Sequence, residues 1–198
     1  MIGFIQQMIN GLSIGSVYAL MAVGYSLVYS IMNFSNFAHG GVIMIGSYIG
    51  FFCISLLNFS FPVAFVTAAL GSGILAIIVE RVAYNPLRKR NAPFLYFIIS
   101  AMGASIFLEN IVVATIGPTF RTYPPVFSAT PIQIGALTIG RLDVLMFVIS
   151  AISLSILVYI IEKTKIGLAI RATSYSSKGS TLMGVNVDNT ITITFAIG

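Results

Sequence analysis

Very few side chains in this sequence could do chemistry, and most of them fall in one short run. Asn33-Phe34-Ser35-Asn36-Phe37-Ala38-His39-Gly40-Gly41 separates two long apolar stretches. It brings the hydrogen-bonding side chains of Asn33, Asn36 and His39 together, and it ends on glycine at Gly40. A polar break between apolar helices frees backbone donors and acceptors, which discontinuous membrane helices use to hold ligands. The same run also fits an interfacial loop with its side chains among lipid headgroups. Glu109, beside Asn110, lies in the second half of a later apolar run. An ionisable group at membrane depth costs about 2.5–3.5 kcal/mol on insertion scales, so Glu109 needs either a cavity or a hydrogen-bonded place near the interface. Asp143 opens its own apolar run next to Arg141, where the helix dipole favours an acid.

Covalent chemistry has one candidate. Gly11-Leu12-Ser13-Ile14-Gly15 matches G-x-S-x-G, a pattern that acts as a nucleophile elbow only at a strained strand-to-helix turn with a histidine partner. Here it sits inside an apolar run of helical length, and Ser13 with His39 is the available dyad for an intramembrane serine hydrolase. No H-E-x-x-H, C-x-x-C, G-x-x-x-x-G-K-[ST] or dinucleotide fingerprint is present. No cofactor or metal is therefore expected, and any ATP used must be hydrolysed by another chain. The one cysteine, Cys53, excludes an internal disulfide.

The elements that hold these residues must sit in lipid. Of 198 residues, 58% are hydrophobic and 8% charged, which excludes a soluble globule, whose surface needs about a quarter charged residues. The formal charge of +5 would suggest nucleic acid in a soluble protein. These charges instead form two clusters between apolar runs, so the expected surroundings are membrane lipid and not nucleic acid.

Residues 1 to 79 contain no Asp, Glu, Lys or Arg, and at about 20 residues per crossing they have room for three helices. The start has no basic segment of the kind a cleaved secretory signal carries, so no cleavage is read. All the prolines lie between Pro62 and Pro131 and mark segment ends. The expected fold is an all-α polytopic transmembrane bundle in one domain, 1–198. Its five full spans are 11–31, 40–57, 61–82, 93–116 and 142–161, and a sixth begins near Ile191. Barrel strands are not expected, because the runs are apolar on every face and do not alternate. Arg81, Arg88, Lys89 and Arg90 form one basic cluster, and Lys163, Lys165, Arg171 and Lys178 the other. The positive-inside rule puts both in the cytoplasm, with the proline-rich loop 117–141 and the amino terminus outside. Small residues at four-spacing (Gly11, Gly15 and Ala19; Gly46 and Gly50; Ala68, Ser72 and Ala76) predict close helix packing.

Several stretches also carry a resemblance. Gly11-Leu12-Ser13-Ile14-Gly15-Ser16-Val17-Tyr18-Ala19-Leu20, then Gly24-Tyr25, then Asn36-Phe37-Ala38-His39-Gly40, resemble the opening of the permeases of bacterial branched-chain amino-acid ABC transporters. Arg81-Val82-Ala83-Tyr84-Asn85-Pro86-Leu87-Arg88 is similar to that family as well. Gly167-Leu168-Ala169-Ile170-Arg171-Ala172, continued by Leu182-Met183-Gly184-Val185-Asn186-Val187, resembles its cytoplasmic coupling helix.

The resemblance implies a multi-pass subunit of the bacterial inner membrane that works with a second homologous permease, two ATP-binding cassette ATPases and a periplasmic substrate-binding protein. It implies leucine, isoleucine or valine as substrate; urea and short-amide permeases share much of the signature. On this reading Asn33, Asn36, His39, Gly40 and Glu109 line the substrate path. Arg171, Ala172, Leu182, Met183 and Gly184, within the segment 165–189, couple to the ATPase. Family members are longer, so the chain is expected to be truncated at its C-terminus. The serine-rich stretch between Ala172 and Thr181 is expected to leave the coupling helix short or frayed, since Ser and Gly are poorer helix formers than Ala or Glu.

Overall fold

The computed structural model describes residues 2–124, 132–134 and 137–198. Helices α1 (Ile2–Met32), α2 (His39–Ser55) and α3 (Phe61–Val79) come first. The last runs through a π-helical turn at Glu80–Tyr84 into α4 (Asn85–Lys89), and α5 spans Phe94–Ile116. A short antiparallel pair follows, β1 (Ile132–Ile134) with β2 (Leu137–Ile139), in which Ile132 faces Ile139. Then come α6 (Arg141–Lys163), α7 (Lys165–Tyr175), α8 (Ser177–Leu182) and α9 (Val187–Ile197). The loop prolines at 125 and 131 lie outside the described residues.

Four stretches, Gly3–Met32, Phe61–Lys89, Phe94–Ile116 and Arg141–Lys163, are long and apolar enough to cross a membrane. Only 11–22% of the residues in their most apolar parts are buried inside the bundle, so most of the apolar surface points outward, as lipid requires and water forbids. The chain is a helical membrane protein. Helix α2, at 17 residues, is about 25 Å long, a little under the ~30 Å hydrocarbon thickness.

Two boundaries differ by more than four residues from those read in the sequence, each for a local reason. Helix α1 begins at Ile2 and not near Gly11, because its early polar residues are uncharged amides that a helix tolerates. The Gln6 side chain is satisfied within the fold: its amide nitrogen donates to the Thr138 carbonyl at 2.6 Å, and its oxygen accepts from the Thr138 N–H at 2.9 Å. The third helical run continues past Val82 to Lys89. Pro86 cannot donate to the carbonyl four residues back, and the wide turn before it absorbs the mismatch, with the Asn85 N–H donating to Glu80 O. Ser100 of α5 donates to the Ala83 carbonyl at 2.8 Å. Asparagine ends three helical runs: Asn33, Asn58 and Asn91 all have positive φ, a conformation their short polar side chains tolerate.

The predicted small-residue stripes meet between α2 and α3. A Cβ on Gly46 would stand 3.1 Å from Ser72 Cβ, and one on Gly50 would stand 3.5 Å from that of Ala68. Gly11 and Gly15 meet nothing within 4 Å. The core gathers where α1, the 33–38 break, the π-turn, α7 and α9 converge, around Val28, Ile31, Phe34, Tyr84, Ile170, Ile191 and Phe195.

The two ends of the bundle differ in character. At one, Asn33 shares a groove with Arg88, Ser177 and Asp188; this is the basic end. At the other, Gln6 meets Thr138, and Tyr123 donates to the Ser47 carbonyl at 2.6 Å.

Candidate functional site

The break after α1 turns back into the bundle. Asn33, at φ 55°, ends α1, and the chain re-enters through buried Phe34, Asn36 and Ala38. Helix α2 therefore starts deep in the bundle. His39, its first residue, packs its ring edge-on to Tyr25 at 5.9 Å and has the backbone of Met21 as a polar neighbour. Met21 lies about 16 Å back from Met32 along α1, near the middle of a bilayer-spanning length.

The Met21 N–H is committed inside its helix, so its carbonyl is what faces the ring. A neutral imidazole that donates through Nδ1 presents a lone pair at Nε2. That nitrogen is buried and has no hydrogen-bond partner among the described residues.

Asn36 faces the same space. Its Oδ1 accepts from the Tyr84 hydroxyl at 2.7 Å, which fixes the amide and leaves Nδ2 as a donor. Tyr84 is fully buried and is itself held by Phe34, ring centroids 5.2 Å apart, and by Phe195 at 5.4 Å. Asn36 and His39 line a cleft of about 450 Å³ whose walls come from α1, α2, α3 and the end of α9, among them Val28, Val42, Ile43, Phe65 and Val79. Gly24 of α1 lets α9 approach, since a Cβ there would collide with the Gly198 carbonyl.

Tyr84→Phe is expected to destabilise the fold by about 1–3 kcal/mol, because it leaves the buried Asn36 oxygen without a donor. Thermal unfolding in detergent reads the loss; an unchanged midpoint would mean that the amide turns and finds another partner.

The other candidates lie elsewhere. Asn33 is exposed in the groove of the basic end, and Gly40 is exposed on α2, where an added Cβ would meet nothing within 4 Å. Glu109 is exposed and accepts from Ser105 at 2.9 Å, in a separate cleft with Ser47, Arg121 and Tyr123 at the opposite end. Ser13 donates to the Ile9 carbonyl at 3.3 Å within an unbroken helix. It lies about 12 Å along α1 from Met21, where the His39 ring sits. The Ser13–His39 dyad is not formed, and no strand-to-helix elbow surrounds the serine.

The 165–189 segment folds as two short helices with a capped break. The Ser176 hydroxyl accepts from the Gly179 N–H at 3.1 Å and starts α8. Gly184, at φ 82°, ends it: the Val185 N–H donates to Ser180 O and the Gly184 N–H to Thr181 O, each at 3.0 Å. The tip exposes Leu182 at 87% and Met183 at 86%. Arg171 is exposed, with one guanidinium nitrogen donating to the Glu162 carbonyl at 3.4 Å, and Ala172 is half-buried. The root of the segment is fixed: Ile170 and Thr173 are buried, and Ser174 donates to the Ser30 carbonyl of α1 at 2.6 Å.

Sequence reasoning missed two ionisable residues, Glu80 and Asp188. Glu80 is fully buried and accepts from Arg88 Nη1 at 3.0 Å; Arg88 also meets Asp188 of α9 at 2.8 Å. The available signal was an acid closing an apolar run, overshadowed by the arginines that follow.

A lipid-facing helical bundle with a polar cleft at mid-depth and an apolar-tipped segment at its basic end has the build of a membrane permease subunit. The family model described as branched-chain amino acid transport system, permease component, matches residues 7–198. The high-affinity branched-chain amino acid transport system permease protein BraD of Pseudomonas aeruginosa is 37% identical over 207 residues, which is 98% of this chain and 67% of BraD. The permease protein LivH of Salmonella typhimurium is 38% identical over 208 residues with the same coverage, and LivH of Escherichia coli K12 is 36% identical over 207. The chain belongs to the branched-chain amino acid transport permease family. No solved structure matches it.

Proposed function

We propose that this chain is the membrane-spanning permease subunit of an ATP-driven importer of branched-chain amino acids. The observation that carries the reading is the cleft between α2, α3 and α9. Its polar side chains are His39, whose Nε2 is buried without a hydrogen-bond partner among the described residues, Asn36, whose amide nitrogen can donate, and Ser72, whose hydroxyl donates to the Ala69 carbonyl, all set among apolar walls. An amino acid needs the complement: an ammonium to donate, a carboxylate to accept, and a branched apolar side chain to bury. The chemistry on this chain is binding and gating, and ATP is hydrolysed on separate subunits.

In this reading α1, α2, the α3–α4 run, α5 and α6 cross the bacterial inner membrane, and α9 begins a sixth crossing. Both basic clusters mark the cytoplasmic end. The partners are a second homologous permease, two ATP-binding cassette ATPases and a periplasmic substrate-binding protein. Asn33 lies at the inner mouth of the path, Gly40 follows His39 at mid-depth, and Glu109 belongs to its outer mouth. Helices α7 and α8 dock on the ATPase through Arg171, Ala172, Leu182, Met183 and Gly184. Two exposed apolar side chains on a short capped helix fit a groove in a partner protein. The Ser174–Ser30 hydrogen bond gives that contact a path to the end of α1 and the break beyond it.

Cysteines at Leu182 or Met183, in a Cys53→Ser background, are expected to crosslink to the ATPase subunit and to resist an impermeant maleimide added from the periplasmic side. Labelling from that side would reverse the topology. Cytoplasmic exposure without a crosslink would reject the dock.

A further inference from the structure

Glu80, Arg88 and Asp188 form a charged chain that runs from the interior of the bundle to its surface. Side-chain exposure rises along it, from 0% at Glu80 through 19% at Arg88 to 55% at Asp188. Arg88 Nη1 donates to Glu80 Oε1 at 3.0 Å, and Nε donates to Asp188 Oδ1 at 2.9 Å. Nη2 stands 2.8 Å from that same aspartate oxygen but is too oblique to make a second hydrogen bond. Thr192 Oγ1 lies 3.0 Å from both Glu80 Oε2 and the Asp188 carbonyl. Its single proton serves only one of them at a time.

The three charged residues do not belong to one body. Glu80 and Arg88 sit on the continuous run from α3 through the π-turn to α4. Asp188 sits in the first turn of α9, directly after the link from α8. Beside them an open groove of about 850 Å³, lined by Asn33, Phe94, Ser177, Thr181 and Asp188, separates α8 from the start of α5. Helix α8 therefore has space to move, and the chain leaving it is tied to the bundle by a half-exposed ion pair.

We propose that Arg88 is a positioning residue that passes motion from the coupling segment to the substrate cleft, with the Arg88–Asp188 contact as the link that releases. This rests on the reading that α7–α8 docks on the ATPase. A shift of α8 pulls the 183–186 link and carries Asp188 off the guanidinium. The guanidinium stays with Glu80, because a buried carboxylate left without its partner is far more costly than a broken half-exposed pair. The charged contact therefore releases at Asp188, while Thr192 stays beside Glu80 one turn further along α9. Helix α9 supplies Phe195, Ala196 and Ile197 to the cleft wall, so freeing its first turn changes the space around His39 and Asn36.

The test uses the whole importer in proteoliposomes, with the partner permease, both ATPases and the binding protein, and measures leucine uptake and ATP hydrolysis in the same sample. Asp188→Asn keeps the shape and removes the charge. Assembly and ATP hydrolysis are expected to hold while leucine imported per ATP falls about five- to tenfold, and Asp188→Glu is expected to regain most of that ratio. Arg88→Lys is expected to lower the ratio too, since one ammonium cannot span both carboxylates. An unchanged ratio in Asp188→Asn and Arg88→Lys overturns the proposal, whether uptake and hydrolysis both persist or both fall in step with the assembled amount. The docking reading fails separately, by absent crosslinks at 182 and 183. Normal crosslinks with an unchanged ratio reject the switch alone.

Discussion

Glu80→Ala is expected to lower the stability of the bundle by about 3 kcal/mol, well above the usual cost of a point substitution. The carboxylate is fully buried and accepts from Arg88 and Thr192. Without it the guanidinium keeps only the half-exposed Asp188, and the Thr192 hydroxyl keeps only its own helix. Removing one partner of a buried ion pair costs about 3–5 kcal/mol; the lower end applies here because the partly exposed Arg88 can reach toward water. Glu80→Gln, which keeps the hydrogen-bonding shape and loses the charge, is expected to lose less than half as much. Thermal unfolding of detergent-solubilised protein, with the amount of folded protein per membrane, reads both. An alanine variant as stable as the parent would mean that the buried pair contributes nothing net.

That ion pair was hard to see in the sequence, whereas the helices were not. Long apolar runs with almost no charge dictate helices in lipid, and Pro62, Asn33, Asn58 and the Pro86 region mark where the runs stop or change pitch. Nearness in space is another matter. Asn36 meets Tyr84, Ser30 meets Ser174, and Arg88 meets Asp188 across long stretches of chain, and neither helical periodicity nor charge clustering carries information about such pairs. Arg88 reads as a topology signal because three basic neighbours surround it in sequence, although its side chain turns inward to Glu80.

The candidate site was legible in half. The 33–41 run identifies itself as a break, and two of its polar residues, Asn36 and His39, do line one cleft. Asn33 does not join them, because its positive φ ends α1 before the chain turns inward. Glu109 was read from cost alone, and cost says nothing about which side of α2 the residue falls on; the structure puts it with Ser47 and Tyr123 at the far end. The 165–189 segment was read as a coupling segment from its similarity to a family motif and from its basic, polar character between apolar runs. The geometry adds the two exposed side chains at its tip, the Ser176 and Gly184 caps that hold them there, and the Ser174 hydrogen bond at its root.

The role of the cleft turns on His39. Its Nε2 is buried without a hydrogen-bond partner among the described residues, a costly arrangement; under the proposed function, as the tautomer protonated at Nδ1, it would accept from the ammonium of an amino acid. On that same reading Asn36, with its oxygen held by Tyr84, would offer its amide hydrogens to the carboxylate, and the apolar walls would take the side chain. A hydrogen bond to a charged group contributes about 1.5–3 kcal/mol, so losing it lowers transport efficiency by roughly ten- to a hundredfold. The decisive measurement is ATP-dependent uptake of labelled leucine into vesicles carrying the complete importer, with the parent chain or His39→Ala, normalised to assembled complex and run beside labelled urea. The expected result is robust leucine uptake by the parent, little urea uptake, and a loss of at least tenfold in leucine uptake for His39→Ala at unchanged assembly. Leucine uptake undiminished in His39→Ala, or uptake of urea in place of leucine by the parent, would contradict the account.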